Sequence, residues 1–296
     1  MNSTTNHLLS LISDFREDFK GAFNIRENGG CAGRQSTETI RIEPRQKEPG
    51  IDIYISAAAK HETVYIPACV TKSGVNDLVY NDFHVEGCGV HSDGEDEAVH
   101  NGIHRFFVGK NAKVLYQEKH IGTGTGSGER RINPVTQITL EEGACMEIDT
   151  TQISGVNHSE RSTCAVLAKD AKLIIHERLL TDGAEKASSD FSVTLEGEDS
   201  GVDLISRSVA KGNSYQEYRS VIRGNCRCMG HSECDAILAE NGIVNAAPAL
   251  YAGHIDASLI HEAAIGKIAG EQITKLCTLG LTEEEAEQKI IEGFLK

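Results

Sequence analysis

The pattern of apolar and polar positions changes twice along the chain. In the long middle part, short runs of β-branched and apolar residues, such as Lys172–Arg178, follow one another and are closed by Gly, Asn or Asp. Because helical periodicity is absent there, residues 51–257 are predicted to form strands. The pattern in residues 1–50 predicts an amphipathic helix over residues 1–24 followed by a polar arm. The pattern in residues 258–296 predicts a helical cap.

One corner motif recurs in the predicted strand region. A strand ends in a turn, a small residue follows, and the next strand begins; the small residues stand at positions 112, 144, 171, 201 and 242. A spacing of about 30 residues favours a parallel β-solenoid, in which each coil pairs with the next. The alternative is a sandwich of antiparallel hairpins, although sandwiches usually have more aromatic residues and tight Asn-Gly turns.

The cap is predicted to contain two helices. Apolar residues from Leu259 to Leu279 have a spacing compatible with a helix that closes near Gly280. A second helix begins with Thr282 as N-cap, and Glu285 three residues later completes a capping box. Such a cap either closes the open end of a solenoid or docks a partner.

Composition narrows the classes of function. The 296-residue chain has a net charge of −15, which argues against binding to nucleic acid or to anionic membranes. No apolar run approaches the about 18 residues of a membrane span, and no signal peptide is evident, so we expect a cytoplasmic protein. The nine cysteines are then metal ligands, nucleophiles or core residues rather than disulfides.

Three cysteines and a histidine lie close together in the sequence, at Cys226, Cys228, His231 and Cys234. Strand alternation would place Cys226 and Cys228 on one face, and a turn at Gly230 would bring Cys234 alongside. Thiolates and imidazoles are ligands of iron–sulfur clusters. The spacing matches neither a ferredoxin nor a zinc knuckle, so metal binding and simple burial in a core both stay open.

Two further segments contain candidate ligands. Cys88 and His91 precede an acidic run that leads to His100 and His104. This segment either holds a metal or forms a solvated acidic loop, which is the usual state of charge runs. The dipeptide at residues 261–262, His-Glu, is a ligand pair, a proton relay or merely a polar surface feature, and it lacks the second histidine of a zinc-protease helix.

A glycine-rich stretch from Gly122 to Gly128 is the last candidate. A phosphate-binding loop needs a following helix and, for nucleoside triphosphates, a Lys-Ser/Thr pair. Pro134 follows soon after the glycines, and no such pair is present. The better interpretation is a mobile glycine loop, so the chain is not expected to hydrolyse ATP by itself.

Three ordered segments resemble the SufB/SufD scaffold family of the SUF iron–sulfur cluster assembly system. They are Gly230–Leu238, Ala257–Gln272 and, within the last segment, Gly280–Ala286 with Gly293 and Phe294. The resemblance covers roughly residues 50–296, is most specific after residue 224, and is closest to a short archaeal, SufB-like form. The expected fold is therefore mainly β, with a right-handed parallel β-helix core, an N-terminal helical segment and a C-terminal helical cap.

The resemblance implies that Cys234, His261 and Glu262 take part in assembling a nascent cluster, of the 4Fe-4S or 2Fe-2S type. SufB proteins often carry a further Glu where this chain has Ile260. Cys228 and Cys226 are nearby substitutes for the missing ligand, as are thiols of a second subunit. Further candidate ligands are Cys226, His231, Cys88 and His91.

The resemblance also implies partners. A SufC-like ABC-type ATPase is expected on the C-terminal helices, and a homodimer is expected through the β-helix, so the chain would be a scaffold and not an enzyme. Two other functions stay open. One is a SufD-like structural partner of the ATPase that holds no cluster, and the other is a β-solenoid enzyme that acts on polysaccharides.

Overall fold

The computed structural model describes residues 21–27, 30–70, 79–81, 84–86, 88–91, 98–123, 128–153 and 155–296. In chain order the strands are β1 (Gly21–Glu27), β2 (Gly30–Gln35), β3 (Ile40–Pro44), β4 (Gly50–Ile55), β5 (Glu62–Val70), β6 (Val79–Asn81), β7 (His84–Glu86), β8 (Cys88–His91), β9 (Ala98–Val108), β10 (Lys113–Thr123), β11 (Arg130–Leu140), β12 (Cys145–Ile153), β13 (His158–Leu167), β14 (Lys172–Thr181), β15 (Lys186–Leu195), β16 (Gly201–Ala210), β17 (Tyr215–Gly224), β18 (Cys228–Leu238), β19 (Ile243–Ala252) and β20 (Ala257–Lys267). Two described helices follow, α1 (Gly270–Cys277) and α2 (Glu283–Phe294).

The strands form two long, mostly parallel sheets that face each other. One sheet has the order β2-β1-β5-β10-β12-β14-β16-β18-β20, with β8 also paired to β10, and the other has the order β19-β17-β15-β13-β11-β9-β4-β3. From β9 onwards, successive strands alternate between the sheets, and each pairs with the strand two places later. The result is a parallel β-solenoid of about six turns. The predicted solenoid is confirmed, and the antiparallel sandwich is wrong.

Strict alternation of side chains builds the interior. In β14 every second residue is buried, so Leu173 and Ile175 face the core while the residues between them face outwards. Both sheets contribute such rows, and the rows meet in one continuous apolar cluster that runs from Ile40 to Cys234. Burial of apolar area at about 25 cal/mol per Å² is the main stabilising contribution in such a core.

The predicted corner motif is confirmed and forms a stacked column. Asn111, Gly143, Asp170 and Asp199 all have left-handed backbones, with φ of 56, 69, 57 and 59°. Each donates its backbone N–H to the next coil; the Asn111 amide, for example, donates to the carbonyl of Glu142 at 3.0 Å. Asn and Asp tolerate this conformation better than most residues, so only one of these four corners needs glycine. The small residues behind the corners, Ala112, Ala144 and Ala171, are fully buried.

A second column of left-handed corners lies at the other turn of the coil. Gly183, Gly212 and Glu240 have φ of 59, 63 and 54°. The backbone amides that follow the second and third of them, at Asn213 and Asn241, donate to the carbonyls of Gly183 and Gly212 at 2.7 and 3.0 Å. Here glycine fills two of three positions, in line with the glycine content of the chain.

The predicted N-terminal arm is wrong over residues 27–50, which contain β2 and β3. β3 pairs antiparallel with β4, and its Ile40 and Ile42 are buried beneath the first coil. Only these two alternating apolar residues mark β3, and the polar residues around them hide the strand signal. The predicted helix lies outside the described residues up to residue 20, and residues 21–24 begin β1.

The predicted helical cap begins too early, because residues 257–267 form β20 and the first described helix of the cap begins at Gly270. β20 pairs with β18 in parallel from Cys228↔Ala257 to Leu238↔Lys267. The Ala-, Ile- and Leu-rich sequence suits either state, and pairing with a neighbouring strand outweighs its helical spacing.

The end of the cap agrees with prediction. Gly280 has a φ of +98° between the helices. The capping box at α2 is present: the Glu285 amide donates to Thr282 Oγ1 at 3.2 Å, and the Thr282 amide donates to Glu285 Oε2 at 2.8 Å. Within the described residues no helix is long and apolar enough to cross a membrane.

Candidate functional site

Cys234 lies inside the solenoid on β18. The strand alternates without interruption, so Cys228, Ser232 and Cys234 all point into the core, and Cys234 is only 1% exposed. The predicted turn at Gly230 is wrong. Because each strand residue advances the chain by about 3.3 Å, the six residue steps from Cys228 to Cys234 separate them by about 20 Å. Cys228 is therefore not a neighbouring ligand of Cys234 within one chain.

Gly230 has a packing role in place of the predicted turn. A Cβ atom at this position would lie 2.7 Å from Leu259 Cδ2 and 2.9 Å from Ile222 Cγ2. Both distances are shorter than van der Waals contact, so glycine allows these side chains to fill the core. Its presence in the sequence indicates crowding and not a change of direction.

Cys226 and Cys228 form a separate pair of buried thiols at the beginning of β18. The Cys226 thiol donates to the carbonyl oxygen of Gly197 at 3.0 Å. Burial raises the pKa of Cys228, and the neighbouring Cys226 raises it further. Cys226 and Cys228 are therefore close together, as predicted, but they lie at the beginning of β18 and away from Cys234.

His261 lies on the inner face of β20, beside the Cys234 strand. It pairs with Ser232, while Cys234 pairs with Ala263. With strands about 4.8 Å apart and two residues rising about 6.6 Å, the side chains of Cys234 and His261 begin about 8 Å apart. His261 Nδ1 lies 2.9 Å from the carbonyl oxygen of Ser232. A carbonyl only accepts, so Nδ1 carries the proton and Nε2 presents the lone pair that a metal requires.

The other two candidates near Cys234 lie on the outer face of the same sheet. Glu262 pairs with Glu233, one residue out of phase with His261, and its side chain is exposed. His231 Nδ1 lies 2.7 Å from Asp203 Oδ1 across β16 and β18. The structure therefore brings Cys234 and His261 together and separates them from Glu262 and His231.

A network of buried polar groups surrounds Cys234. Ser232 Oγ lies 3.0 Å from the Tyr218 hydroxyl and 2.9 Å from Ser220 Oγ. Burial, with Glu177 and Asp235 as nearby negative charges, raises the pKa of Cys234 to about 12. The enclosed thiol is therefore protonated at neutral pH, whereas the thiolate is the form that binds metal.

The Cys234 region lies one strand from the open end of the solenoid. β20 is the last strand of its sheet and β19 is the last of the other, and both have largely exposed burial patterns. Their exposed apolar side chains include Tyr251 and Ile260, at 56% and 51% exposure. Among the described residues, this final coil is the one that covers the strand of Cys234 on that side.

A second polar cluster lies in the early coils, where the sequence predicts a metal site or a solvated loop. His100 and His104 share the inner face of β9 and are fully buried, so the solvated loop is wrong for these two residues, while residues 92–97 lie outside the described ranges. Opposite them, β10 contributes Glu118 and His120, which the sequence analysis missed. The sequence did contain a signal for these residues, because the last inward-facing positions of β10, Glu118 and His120, are polar.

Cys88 and His91 are placed next to this cluster by the backbone alone. β8 pairs with β10 so that Cys88 is opposite His120 and His91 is opposite Thr123. The pairing therefore places the backbone of Cys88 beside that of the buried His120, and the backbone of His91 three residues further along β10.

Charge in the second cluster is balanced by an inward-pointing arginine. Arg161 on β13 donates to Glu118 Oε2 at 2.9 Å. Burial alone would raise the pKa of Glu118, but His120 and the permanently charged Arg161 outweigh it and hold the pKa well below its usual range. Burial lowers the pKa of His120. The cluster therefore contains a carboxylate and a neutral imidazole, which are the protonation states of metal ligands.

These features define a parallel β-solenoid with a buried thiol and an imidazole beneath its open end. Residues 83–294 match the family described as "SUF system FeS cluster assembly, SufBD core domain", and the chain belongs to this family. The resemblance inferred from the sequence is confirmed.

The relatives agree with the family. A protein of Archaeoglobus fulgidus called "Iron-sulfur cluster assembly SufBD family protein" is 33% identical over 199 residues, which are 67% of this chain and 53% of that protein. A protein of the same name from Methanothermobacter thermautotrophicus (strain Delta H) is 29% identical over 218 residues, 71% of this chain and 51% of that protein. A Synechocystis member is 26% identical over 196 residues, 63% of this chain and 40% of that protein. The chain thus spans about half the length of the first two.

Proposed function

We propose that this chain is a scaffold on which iron–sulfur clusters are assembled, and that Cys234 and His261 hold the nascent cluster. The observation that carries the proposal is their common position: both face the interior from adjacent strands, β18 and β20, at the open end. Membership of the SufBD core family supports the same function.

The chemistry requires the thiol to change state. With its pKa raised to about 12, Cys234 is a poor nucleophile and a poor ligand while the final coil is closed. Movement of β20 would admit water and iron, and a bound cation would displace the thiol proton. His261 Nε2 would supply a second ligand. Iron and sulfide are the cargo of this process, and we expect no catalytic turnover by the chain itself.

Within the described part of the chain, the predicted ligands near Cys234 are too few for a cluster. Cys228 is too distant from Cys234, and Glu262 lies on the outer face of the sheet. A second copy that pairs along the exposed final coil would bring further ligands to the open end, which favours a homodimer through the β-helix. An unpaired sheet edge is physically suited to such pairing.

Movement of the last coil needs an energy source outside this chain. A SufC-like ABC-type ATPase docked on the C-terminal helices would provide it. α1 contains no buried residue, so its surface is open for docking. α2 contains the buried residues Ala286 and Ile291, and it is joined to the solenoid by Lys211 Nζ, 2.9 Å from Glu287 Oε1. We expect this complex to be cytoplasmic, where thiols stay reduced.

The test is anaerobic reconstitution of the chain together with its ATPase partner. Iron content and visible absorption are compared for the wild type, Cys234→Ser and the control Cys164→Ser, whose thiol is exposed. We expect Cys234→Ser to lose nearly all cluster and the control to keep it. Full occupancy in Cys234→Ser would contradict the proposal. Failure of the wild type to hold a cluster would favour the SufD-like, cluster-free role.

A further inference from the structure

We infer that His100, Glu118 and His120 form a binding site for one divalent transition-metal ion inside the solenoid, separate from Cys234. The inference does not depend on the scaffold function. The three side chains come from both sheets: His100 projects from β9, and the other two project from β10 directly across the interior.

The ligand atoms already have the spacing that a metal requires. Glu118 Oε1 lies 2.9 Å from His120 Nε2 and 3.3 Å from His100 Nε2. Ligands held about 2.1 Å from one ion lie about 3.0–3.4 Å from each other at octahedral or tetrahedral angles. The three atoms all lie within 4.8 Å of one another, so a central ion would need only small side-chain adjustments.

The hydrogen bonding of the buried His120 side chain is a second, independent observation that points to a metal. This side chain is fully buried, and among the described residues neither of its ring nitrogens forms a hydrogen bond of normal geometry. The contact with Glu118 Oε1 is short, but it lies off the axis that a hydrogen bond needs. Leaving a buried polar group without a hydrogen bond costs about 1–3 kcal/mol. An ion bound by Nε2 would explain the direction of this nitrogen and remove the cost there.

Neighbouring residues hold the site in shape. Arg161 binds Oε2 of Glu118, which orients the carboxylate and leaves Oε1 directed towards the imidazoles. His104 Nδ1 lies 3.0 Å from the Tyr116 hydroxyl, on the side towards the apolar core. Such outer contacts are typical of metal sites, where they fix the direction of each ligand.

The ligand set selects the class of metal. Two imidazoles and one carboxylate suit Fe²⁺, Zn²⁺ or Co²⁺ and leave positions open for water, whereas Ca²⁺ and Mg²⁺ prefer oxygen ligands alone. The charge of the cluster limits the affinity, because the Glu118 carboxylate is already paired with Arg161. A divalent ion therefore adds positive charge that this carboxylate only partly neutralises. We therefore expect moderate affinity and slow exchange through the closed coils.

The experiment uses Co²⁺ alone, added anaerobically to the metal-free full chain, with equilibrium dialysis and visible absorption as readouts. The variants are Glu118→Gln and His120→Gln, each checked for folding by circular dichroism. The matched control is Glu177→Gln, which alters another buried carboxylate, held by Ser189 and Ser206 at 2.6 and 2.8 Å. Cys234→Ser separates this site from the cluster site.

We expect one Co²⁺ per wild-type chain, with a spectrum of nitrogen and oxygen ligation. Binding should persist in Glu177→Gln and Cys234→Ser and weaken at least about tenfold in His120→Gln and Glu118→Gln. If Glu118→Gln does not fold, His120→Gln decides the question. Unchanged affinity in the folded ligand variants, loss of binding in Cys234→Ser, or a thiolate spectrum would each overturn the site.

Discussion

The two polar regions inside this solenoid differ in how the fold encloses them. The cluster around Glu118 lies between coils, and its carboxylate has a paired arginine and imidazoles within hydrogen-bonding distance. Cys234 is equally buried, but among the described residues the final coil alone follows its strand at the open end, and no cation lies against it among the charges that shift its pKa. The same alternation of side chains thus builds one site enclosed between coils and one site beneath the last coil.

The largest loss of stability is expected from a substitution in the buried ion pair of Arg161 and Glu118. Arg161→Gln leaves the buried Glu118 carboxylate without its permanent cation. We expect a loss of about 3–5 kcal/mol in the free energy of unfolding of the metal-free protein, measured with urea. Arg219→Gln is the control, because Arg219 pairs with Asp190 on the exposed surface, and it should change little. Equal effects would mean that Glu118 is not the charged, enclosed group described above.

The second comparison uses the same substitution in two coils. Leu204→Ala removes a side chain that is 1% exposed on β16, and we expect a loss of about 3 kcal/mol in the free energy of unfolding. Leu259→Ala alters the half-buried last coil and should cost about half as much, because less surface leaves contact with the core. Equal losses in urea unfolding would show that the last coil is packed as tightly as the middle.

The third prediction concerns alkaline pH and Cys234. Its thiol keeps a proton up to a pKa of about 12 in the fold, compared with an ordinary value of 9.0. Between these values the unfolded state binds fewer protons, so the free energy of unfolding should fall as pH rises through this window. Cys234→Ala should show a shallower fall, with a constant offset from the wild type below about pH 8. Parallel pH profiles for the two proteins would contradict the enclosed thiol.

The smallest effect is expected outside the solenoid. Thr282→Ala removes the N-cap of α2 and should cost about 1 kcal/mol. Since an ion pair between Lys211 and Glu287 joins α2 to the solenoid, amide exchange should accelerate in α2 while β14 and β16 stay protected. Thr278→Ala, near the end of α1, is a matched control outside the capping box. Faster exchange throughout the solenoid would indicate that the cap supports the whole fold.

The fold was predictable from the sequence because its signals are local and repeated. Corners such as Asp170-Ala171 recur about every 30 residues, and each needs a left-handed residue and a small one. Stacking of the coils places successive corners in columns. The end of the chain was less predictable. Residues 257–267 fit a helix by spacing, and only the edge of β18, a distant partner, makes them a strand.

The candidate sites were harder to predict because they depend on which face a residue occupies. Cys228 and Cys234 are near in sequence but about 20 Å apart along a straight strand. His261 and Glu262 are adjacent but lie on opposite faces. Glu118 and Arg161 are far apart in sequence and meet only because β10 and β13 face each other. No local pattern carries that information.

Because the left-handed corners stack in columns, the coils of this protein can be altered one at a time. Each corner contacts only the coil before and after it, so a change at one level is felt mainly by its two neighbours. Glu240 holds a φ of 54° where the two corners beneath it are glycines, and a left-handed backbone costs a residue of this type about 1 kcal/mol or more. The corner nearest the open end is therefore the least relaxed of that column. Glu240→Gly should relieve this strain, so substitutions at this one level are expected to adjust the stability of the last coil without disturbing the coils beneath it.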